Sequence, residues 1–142
     1  MDHVVYLDTK AGELDKLKIG IKTMIIRGAM GRKMPYGRVN EGDVLYFIEN
    51  KGDGLIKGKA VVAGVLNSEK LNKEESIELV EKHMENLQLN TTLMKRFAGK
   101  RFLVLIRIKS FTALDPFKID RSEYGNMDDW LPVEDIQKVK VQ

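Results

Sequence analysis

The chain has 142 residues, of which 43% are hydrophobic and 32% charged, and its formal net charge is +3. This length can bury one substantial core but is short for two ordinary domains, so we expect residues 1–142 to form a single domain. The absence of cysteine excludes a disulfide-stapled secreted fold and every thiolate metal site.

We expect no targeting segment at the start of the chain. Asp2 and His3 precede a short apolar run over residues 4–7 without a basic leader, and no apolar run approaches the length of a membrane span. We therefore expect a cytoplasmic protein that makes no membrane contact. His3 and His83 lie far apart and have no carboxylates at ligand spacing, so we expect neither a metal ion nor a cofactor. His3 is predicted to be exposed and His83 to be partly buried.

The first half of the chain predicts four strands and one short helix. The strands are expected over residues 4–7, 23–27, 44–48 and 58–66. The helix is expected over residues 11–18, where leucines fall at helical spacing and Gly20 can end it. Turn residues between the third and fourth strands predict a hairpin.

Helices dominate the middle of the second half. Asn72 followed by Glu75 is an N-cap signature, and it precedes an amphipathic helix whose apolar face is formed by Ile77, Val80, Met84 and Leu87. Asn90 or Thr91 is expected to cap a second, shorter helix that stops at Gly99.

One more strand and a tail complete the chain. Residues 102–108 are apolar apart from Arg107 and predict a strand buried on both faces. Arg107 should be paired with an acid or point away from the barrel, because an unpaired buried guanidinium is too costly. The tail is predicted as a loop over residues 120–126 and a last short strand or turn over residues 136–141.

The order of these elements indicates the fold class. Helices cluster between the hairpin and the last long strand, and no strand–helix–strand unit repeats, which argues against a doubly wound parallel sheet. We predict an α+β fold in which a small, mostly antiparallel β-barrel carries appended helices.

Charges are segregated along the chain. Residues 16–38 contain Lys and Arg but no acid, and the same is true of residues 86–114. If the two stretches meet in space, they form a positive face that can hold a polyanion. The second stretch also has a simpler explanation, because cations near the end of a helix are favoured by its dipole without any ligand. Its cations there are Lys95, Arg96, Lys100 and Arg101.

The loop that follows residue 27 combines basic side chains with an aromatic ring. Arg32, Lys33 and Arg38 surround Tyr36, and glycines let backbone amides approach a phosphate while the ring can stack on a base. The alternative is a solvated loop. The glycine spacing matches neither a phosphate loop nor a dinucleotide fingerprint, so a nucleotide hydrolase is excluded.

Two motifs resemble a known family. Gly20, Lys22 and Arg27 match three of the four positions of the ASCH-domain signature, Gly-x-Lys-x-x-Glu-x-Arg, and Gly42-Asp43 before an apolar strand resembles a second shared feature. The resemblance covers residues 14–66. It implies a PUA-like β-barrel, a fold used largely for RNA binding, with Lys22 and Arg27 projecting into a cleft.

The unmatched signature position, where the pattern has a glutamate, is Ile25 in this chain, and this difference bears on catalysis. Small ASCH members that resemble amidohydrolases acting on modified nucleosides carry a threonine there, and an aliphatic side chain can neither transfer a proton nor attack a carbonyl. Thr23 can contact a ligand or simply begin a strand. Trp130 can be a stacking platform, a lid over the barrel or a core plug.

We therefore predict a module that binds RNA, or a modified nucleoside within it, and that has no catalytic residue. DNA is the alternative nucleic acid. Its predicted site residues are Lys22, Thr23, Arg27, Arg32, Lys33, Tyr36, Arg38 and Trp130. One alternative is a small hydrolase in which Lys22 is base or nucleophile, oriented by Asp43 or Glu49 and activated by Arg27. Another is a protein-interaction module with an acidic partner. The oligomeric state stays open.

Overall fold

A computed structural model describes residues 1–124 and 128–142. The predicted loop over residues 120–126 extends outside this part of the chain. The strands are β1 (Asp2–Asp8), β2 (Met24–Ala29), β3 (Val44–Asn50), β4 (Leu55–Asn67), β5 (Phe102–Lys118) and β6 (Trp130–Glu134). The helices are α1 (Glu13–Lys18), α2 (Lys73–Lys82), α3 (Met84–Leu87), α4 (Thr91–Phe97) and a 3-10 turn (Ile136–Lys138).

The strands form one curled sheet. Its order in the described residues is β2-β5-β4-β3-β1-β6, and β1 and β3 are parallel whereas the other neighbouring strands are antiparallel. The sheet is a half-barrel, and its two edges are β2 and β6. The predicted α+β class, with a mostly antiparallel sheet and appended helices, is confirmed.

Local signals predicted the starts of α2 and α4 correctly, but the single helix predicted to carry Ile77, Val80, Met84 and Leu87 is divided, because α2 ends at Lys82 and Met84 and Leu87 belong to α3. The Asn72 side chain accepts a hydrogen bond from the Glu75 amide at 2.8 Å, and the Glu75 carboxylate accepts one from the Asn72 amide at 2.9 Å. The Asn90 side chain likewise caps α4 by accepting from the Leu93 amide at 2.9 Å. Gly20, just beyond α1, has a φ of +83°, which favours glycine. Each of these features depends on residues that are at most a few positions apart in the chain, which explains why they could be predicted from the sequence.

The strand β5 is longer than predicted. Its first part, residues 102–107, lies between β2 and β4 and is largely buried, as expected. The strand then continues to Lys118 with mostly exposed side chains because its backbone pairs with β4. Arg107 is exposed and donates a hydrogen bond to the Ala63 carbonyl at 3.2 Å, so the prediction that it points away from the barrel is confirmed.

The alternation of side chains along β2 separates two cores. Met24 and Ile26 pack against the helices, in a cluster with Val80 and Leu93. Ile25 faces the inside of the curl, where it packs with residues that include Val5, Phe47, Ile106 and Trp130. Because side chains two apart on a strand share a face, Arg27 also points into the curl. The signature position occupied by Ile25 is therefore an apolar core position in this protein.

The C-terminal part contains one strand that the sequence did not predict, the edge strand β6 over residues 130–134, which pairs with β1. Residues 136–138 form the 3-10 turn, so of the strand or turn predicted for residues 136–141 the structure contains the turn. Within residues 1–124 and 128–142, no helix is both long and apolar enough to cross a membrane.

Candidate functional site

Lys22 of the signature lies inside the protein. Its side chain is fully buried, its ammonium donates a hydrogen bond to the Leu87 carbonyl, and Nζ lies 3.4 Å from Oε2 of Glu13. Glu13 is itself buried, and its Oε1 accepts a hydrogen bond, at 2.8 Å, from the Asp8 amide. Burial lowers the pKa of Lys22, and the Glu13 carboxylate opposes this shift. Lys22 therefore ties the start of β2 to α1 and to the end of α3.

Arg27 connects the two ends of the curled sheet. From the edge strand β2, its Nη2 donates to the Tyr6 carbonyl on β1 at 2.6 Å, and its guanidinium lies 5.6 Å from the centroid of the Trp130 ring on β6. Its Nε is 3.3 Å from Oδ2 of Asp129, an ion-pair distance, but makes no hydrogen bond to it. This buried Nε has no hydrogen-bond acceptor among the described residues.

Trp130 is held from behind by a buried histidine. The prediction that His3 is exposed is wrong: its side chain is completely buried, its Nδ1 accepts from the Trp130 indole at 3.0 Å, and its Nε2 lies 2.9 Å from Asp43 Oδ2. Because an indole only donates, the neutral His3 must carry its proton on Nε2 and donate it to Asp43. Burial lowers the pKa of His3, against the effect of Asp43. Trp130 is thus a core residue beneath Arg27.

The open side of Arg27 leads into a cleft of about 410 Å³. Its basic lining residues are Arg27, Lys33, Lys95, Arg96 and Lys100, its aromatic ones are Tyr36, Phe97 and Phe102, and its acidic ones are Asp128 and Asp129. These cations come from both acid-free stretches of the sequence. The two stretches therefore meet in space, which was the condition for a positive face.

The loop over residues 31–38 is fixed against the sheet by Tyr36. Its hydroxyl donates a hydrogen bond to the Ser68 carbonyl, and its ring packs edge-to-face on Phe102 with centroids 5.6 Å apart. Arg32 covers both rings, with its Cζ 5.6 Å from the Tyr36 centroid and 5.4 Å from that of Phe102. The amide of Gly37 donates to Oδ1 of Asn67 at 2.9 Å. The loop therefore presents its cations from a defined position.

The cations of the cleft differ in how they are paired. Arg96 lies 3.7 Å from Oδ2 of Asp8, and Arg27 lies beside Asp129. In contrast, Lys33, Lys95 and Lys100 have no carboxylate within ion-pair distance in residues 1–124 and 128–142. These three ammonium groups are available to an anionic ligand.

The structure brings only part of the predicted site together. Arg27, Lys33 and Tyr36 line the cleft, Arg32 packs on two of its rings, and Trp130 lies behind Arg27. The remaining three predicted residues, which are Lys22, Thr23 and Arg38, are not among its lining. Thr23 instead donates from Oγ1 to Asn86 Oδ1 at 3.2 Å, and Arg38 is exposed.

Sequence reasoning gave too little weight to two groups. Lys95, Arg96 and Lys100 were explained equally well by the helix dipole, although the absence of acids around them was a usable signal. Glu13 was missed, since a single acid in a short helix carries no pattern. It lines a small recess of about 20 Å³ that shares Arg27, Arg96, Phe97 and Asp129 with the cleft.

A larger cavity, of about 700 Å³, lies elsewhere on the surface, and Glu41, His83 and Arg107 are among its lining residues. None of the predicted site residues lines it. The described residues also include no group of three or more His, Cys, Asp or Glu side chains that could hold a metal ion.

The half-barrel with its cleft is a small α+β fold. Comparison with solved structures shows which proteins have a similar fold. The crystal structure of an ASCH protein from Zymomonas mobilis superposes over 99% of this chain and 96% of that chain, at 12% identity and a TM-score of 0.66. Two single-residue variants of that protein cover 96% of this chain and 94% and 92% of theirs, at 14% and 13% identity and TM-scores of 0.66 and 0.67.

The fold is therefore ASCH-like, as the sequence motifs predicted. At this level of identity the likeness concerns the fold. No family model matches the sequence. No curated protein matches it either.

Proposed function

We propose that this protein binds RNA, or a modified nucleoside within RNA, in the cleft between the loop over residues 31–38 and α4. One observation carries the proposal: cations from two distant acid-free stretches converge on a single cleft, and three of them have no carboxylate partner in the described part of the chain. Like charges gathered in one place repel each other, and an anionic ligand removes that repulsion.

The cleft offers separate partners for the parts of a nucleotide. Lys33, Lys95 and Lys100 supply ammonium groups for phosphate oxygens, and the Tyr36 and Phe102 rings with Arg32 supply flat surfaces on which a base can stack. Arg27, which lines the cleft, places its guanidinium charge at the base of the cleft. We assign Lys22 a supporting role, because burial gives its ammonium no open path to a ligand.

The test uses two variants that remove the same charge. Arg32→Gln combined with Lys33→Gln changes the cleft, whereas Lys10→Gln combined with Lys109→Gln changes exposed lysines that do not line it. Affinity for short RNAs of unrelated sequence is measured at several salt concentrations. We expect the cleft variant to weaken all of them, because it loses the phosphate contact of Lys33 and the stacking surface of Arg32, and to reduce the salt slope by about 0.7, the value for one lost phosphate contact on a single strand.

Titrations of the cleft variant that superimpose on those of the control would reject the proposal. Parallel titrations with DNA of the same sequences decide whether the ribose 2′-hydroxyl contributes, because it is the group that distinguishes the two polymers.

A second candidate function is a small hydrolase, and the Glu13–Lys22 pair favours it. A carboxylate lies 3.4 Å from an ammonium whose pKa is lowered by burial, and Glu13 reaches the recess that joins the cleft beside Arg27. Such a pair can act as base or nucleophile. Hydrolysis of acylated nucleosides that is lost in Lys22→Arg, with the fold intact, would place this function first, because a guanidinium stays protonated at any workable pH.

A further inference from the structure

A second depression, of about 380 Å³, adjoins the cleft. We call it the side groove. Its lining includes Met30, Leu71, Lys73 and Arg101, and it shares Lys95 and Lys100 with the cleft. Two cations therefore belong to both depressions, which makes the side groove a continuation of the cleft along the surface.

Hydrogen bonds between distant segments build the side groove. The amide of Leu71 donates to the Arg101 carbonyl at 2.8 Å, and the amide of Gly99 donates to Ser76 Oγ at 3.0 Å. These bonds hold the start of α2 against the junction between α4 and β5. Lys73 and Arg101 consequently line the same depression although they belong to different elements.

The side groove has the charge of a polyanion site. Its four cations are Lys73, Lys95, Lys100 and Arg101, and its lining contains no acid. None of the four has a carboxylate within ion-pair distance in the parts of the chain that the structure describes. The amides at the start of α2 contribute less to anion binding, because the Asn72–Glu75 capping box already engages two of them. Attraction must therefore come from the side chains.

The floor of the side groove is apolar. Met30 is 52% exposed there, and Leu71 and Ala98 are partly buried beside it. An apolar floor between ammonium and guanidinium groups can accommodate the sugar and base of a nucleotide while its phosphates contact the cations. An acidic peptide would use the cations but has no comparable use for the aromatic rings of the neighbouring cleft.

We propose that the cleft and the side groove form one track for a single strand of RNA, in which the cleft takes one base and the side groove holds the phosphates of the adjacent nucleotides. The inference rests on the proposed function and specifies its ligand: an oligonucleotide, not a free nucleoside. Lys95 and Lys100 lie where the two parts of the track join.

The experiment measures affinity against the length of the ligand. RNAs from a mononucleotide to an octanucleotide are titrated into the unmutated protein, into Lys73→Gln with Arg101→Gln, and into the control Lys10→Gln with Lys109→Gln. We expect affinity for the unmutated protein to rise as the strand extends from the cleft into the side groove. The groove variant should bind the mononucleotide as the unmutated protein does, lose several-fold in affinity for the octanucleotide, and show a salt slope smaller by about 1.4.

The possible outcomes separate the two proposals. If the groove variant behaves like the control while Arg32→Gln with Lys33→Gln loses affinity, RNA is bound in the cleft alone and the track is rejected. If no RNA binds the unmutated protein, both proposals are rejected. If polyglutamate of matched charge binds as tightly as the octanucleotide, the groove fits an acidic protein and the track is rejected. Lys73 and Arg101 are both exposed, and equal melting temperatures of the two double variants confirm that folding is retained.

Discussion

Ionisable groups in the interior of this half-barrel are paired with one another, whereas three lysines on its rim have no carboxylate partner in the described residues. Inside, Lys22 is paired with Glu13 and His3 with Asp43, at distances of 3.4 and 2.9 Å. On the rim, Lys33, Lys95 and Lys100 face solvent or the cleft without a carboxylate partner in the described residues. An ionic or polar group in the core is retained only with partners that offset the cost of removing it from water. Cations at the surface that have no carboxylate partner can still bind an anionic ligand.

The largest effect is expected from breaking an interior pair. Lys22→Met leaves the Glu13 carboxylate buried without its cation, and we expect the free energy of unfolding to fall by about 3–5 kcal/mol. Adding Glu13→Gln removes the stranded charge and should recover a large part of the loss. Urea unfolding of the two single variants and the double variant measures this coupling. A Lys22→Met protein as stable as the exposed-site control Lys10→Met would show that the pair does not stabilise the fold.

A smaller effect is expected from acid acting on the His3 pair. The ordinary pKa of histidine is 6.5, and burial lowers the pKa of His3 in the folded state. Below pH 6.5 the unfolded chain therefore binds a proton that the folded protein resists. Stability from this group is complete above pH 6.5 and is lost as the pH falls from there through the lowered pKa of the folded state.

Melting temperatures between pH 8 and pH 5 test the contribution of His3. Protonation would put a proton on Nδ1, the atom that accepts from Trp130, and so break that hydrogen bond. His3→Gln, which does not titrate, should show a weaker decline with falling pH than the unmutated protein. Identical declines in the two proteins would assign the acid sensitivity to other groups.

The smallest effect is expected from an ion pair that is exposed. Lys138 Nζ lies 2.7 Å from Oε2 of Glu134, a shorter separation than that of the Glu13–Lys22 pair, but both side chains are mostly in solvent. Water screens such a pair and compensates for its loss. We expect Glu134→Gln to leave the urea midpoint unchanged within error. A loss of stability comparable to that of Lys22→Met would show that the contribution of an ion pair to the free energy of unfolding does not depend on its burial.

The sequence predicted best what depends on near neighbours or on composition. The cap at Asn72, the stop at Gly99 and the buried start of β5 follow from patterns a few residues long, and the structure contains all three. The continuation of β5 to Lys118 and the strand β6 were not predicted, because they depend on pairing with β4 and β1, which are distant in the chain. Burial of His3 was missed for the same reason, since Asp43 and Trp130 supply its partners.

The sequence by itself determined the fold class and the segregation of charge, because periodicity and composition are properties of the chain. Only the tertiary structure decided which basic residues are buried with partners and which remain at the surface. Lys22 and Lys33 belong to the same acid-free stretch and were both predicted to contact a ligand, yet Lys22 is buried against Glu13 and Leu87 whereas Lys33 remains at the rim of the cleft. The physical reason is that the cost of burying a charge depends on partners, and folding brings those partners from distant parts of the chain.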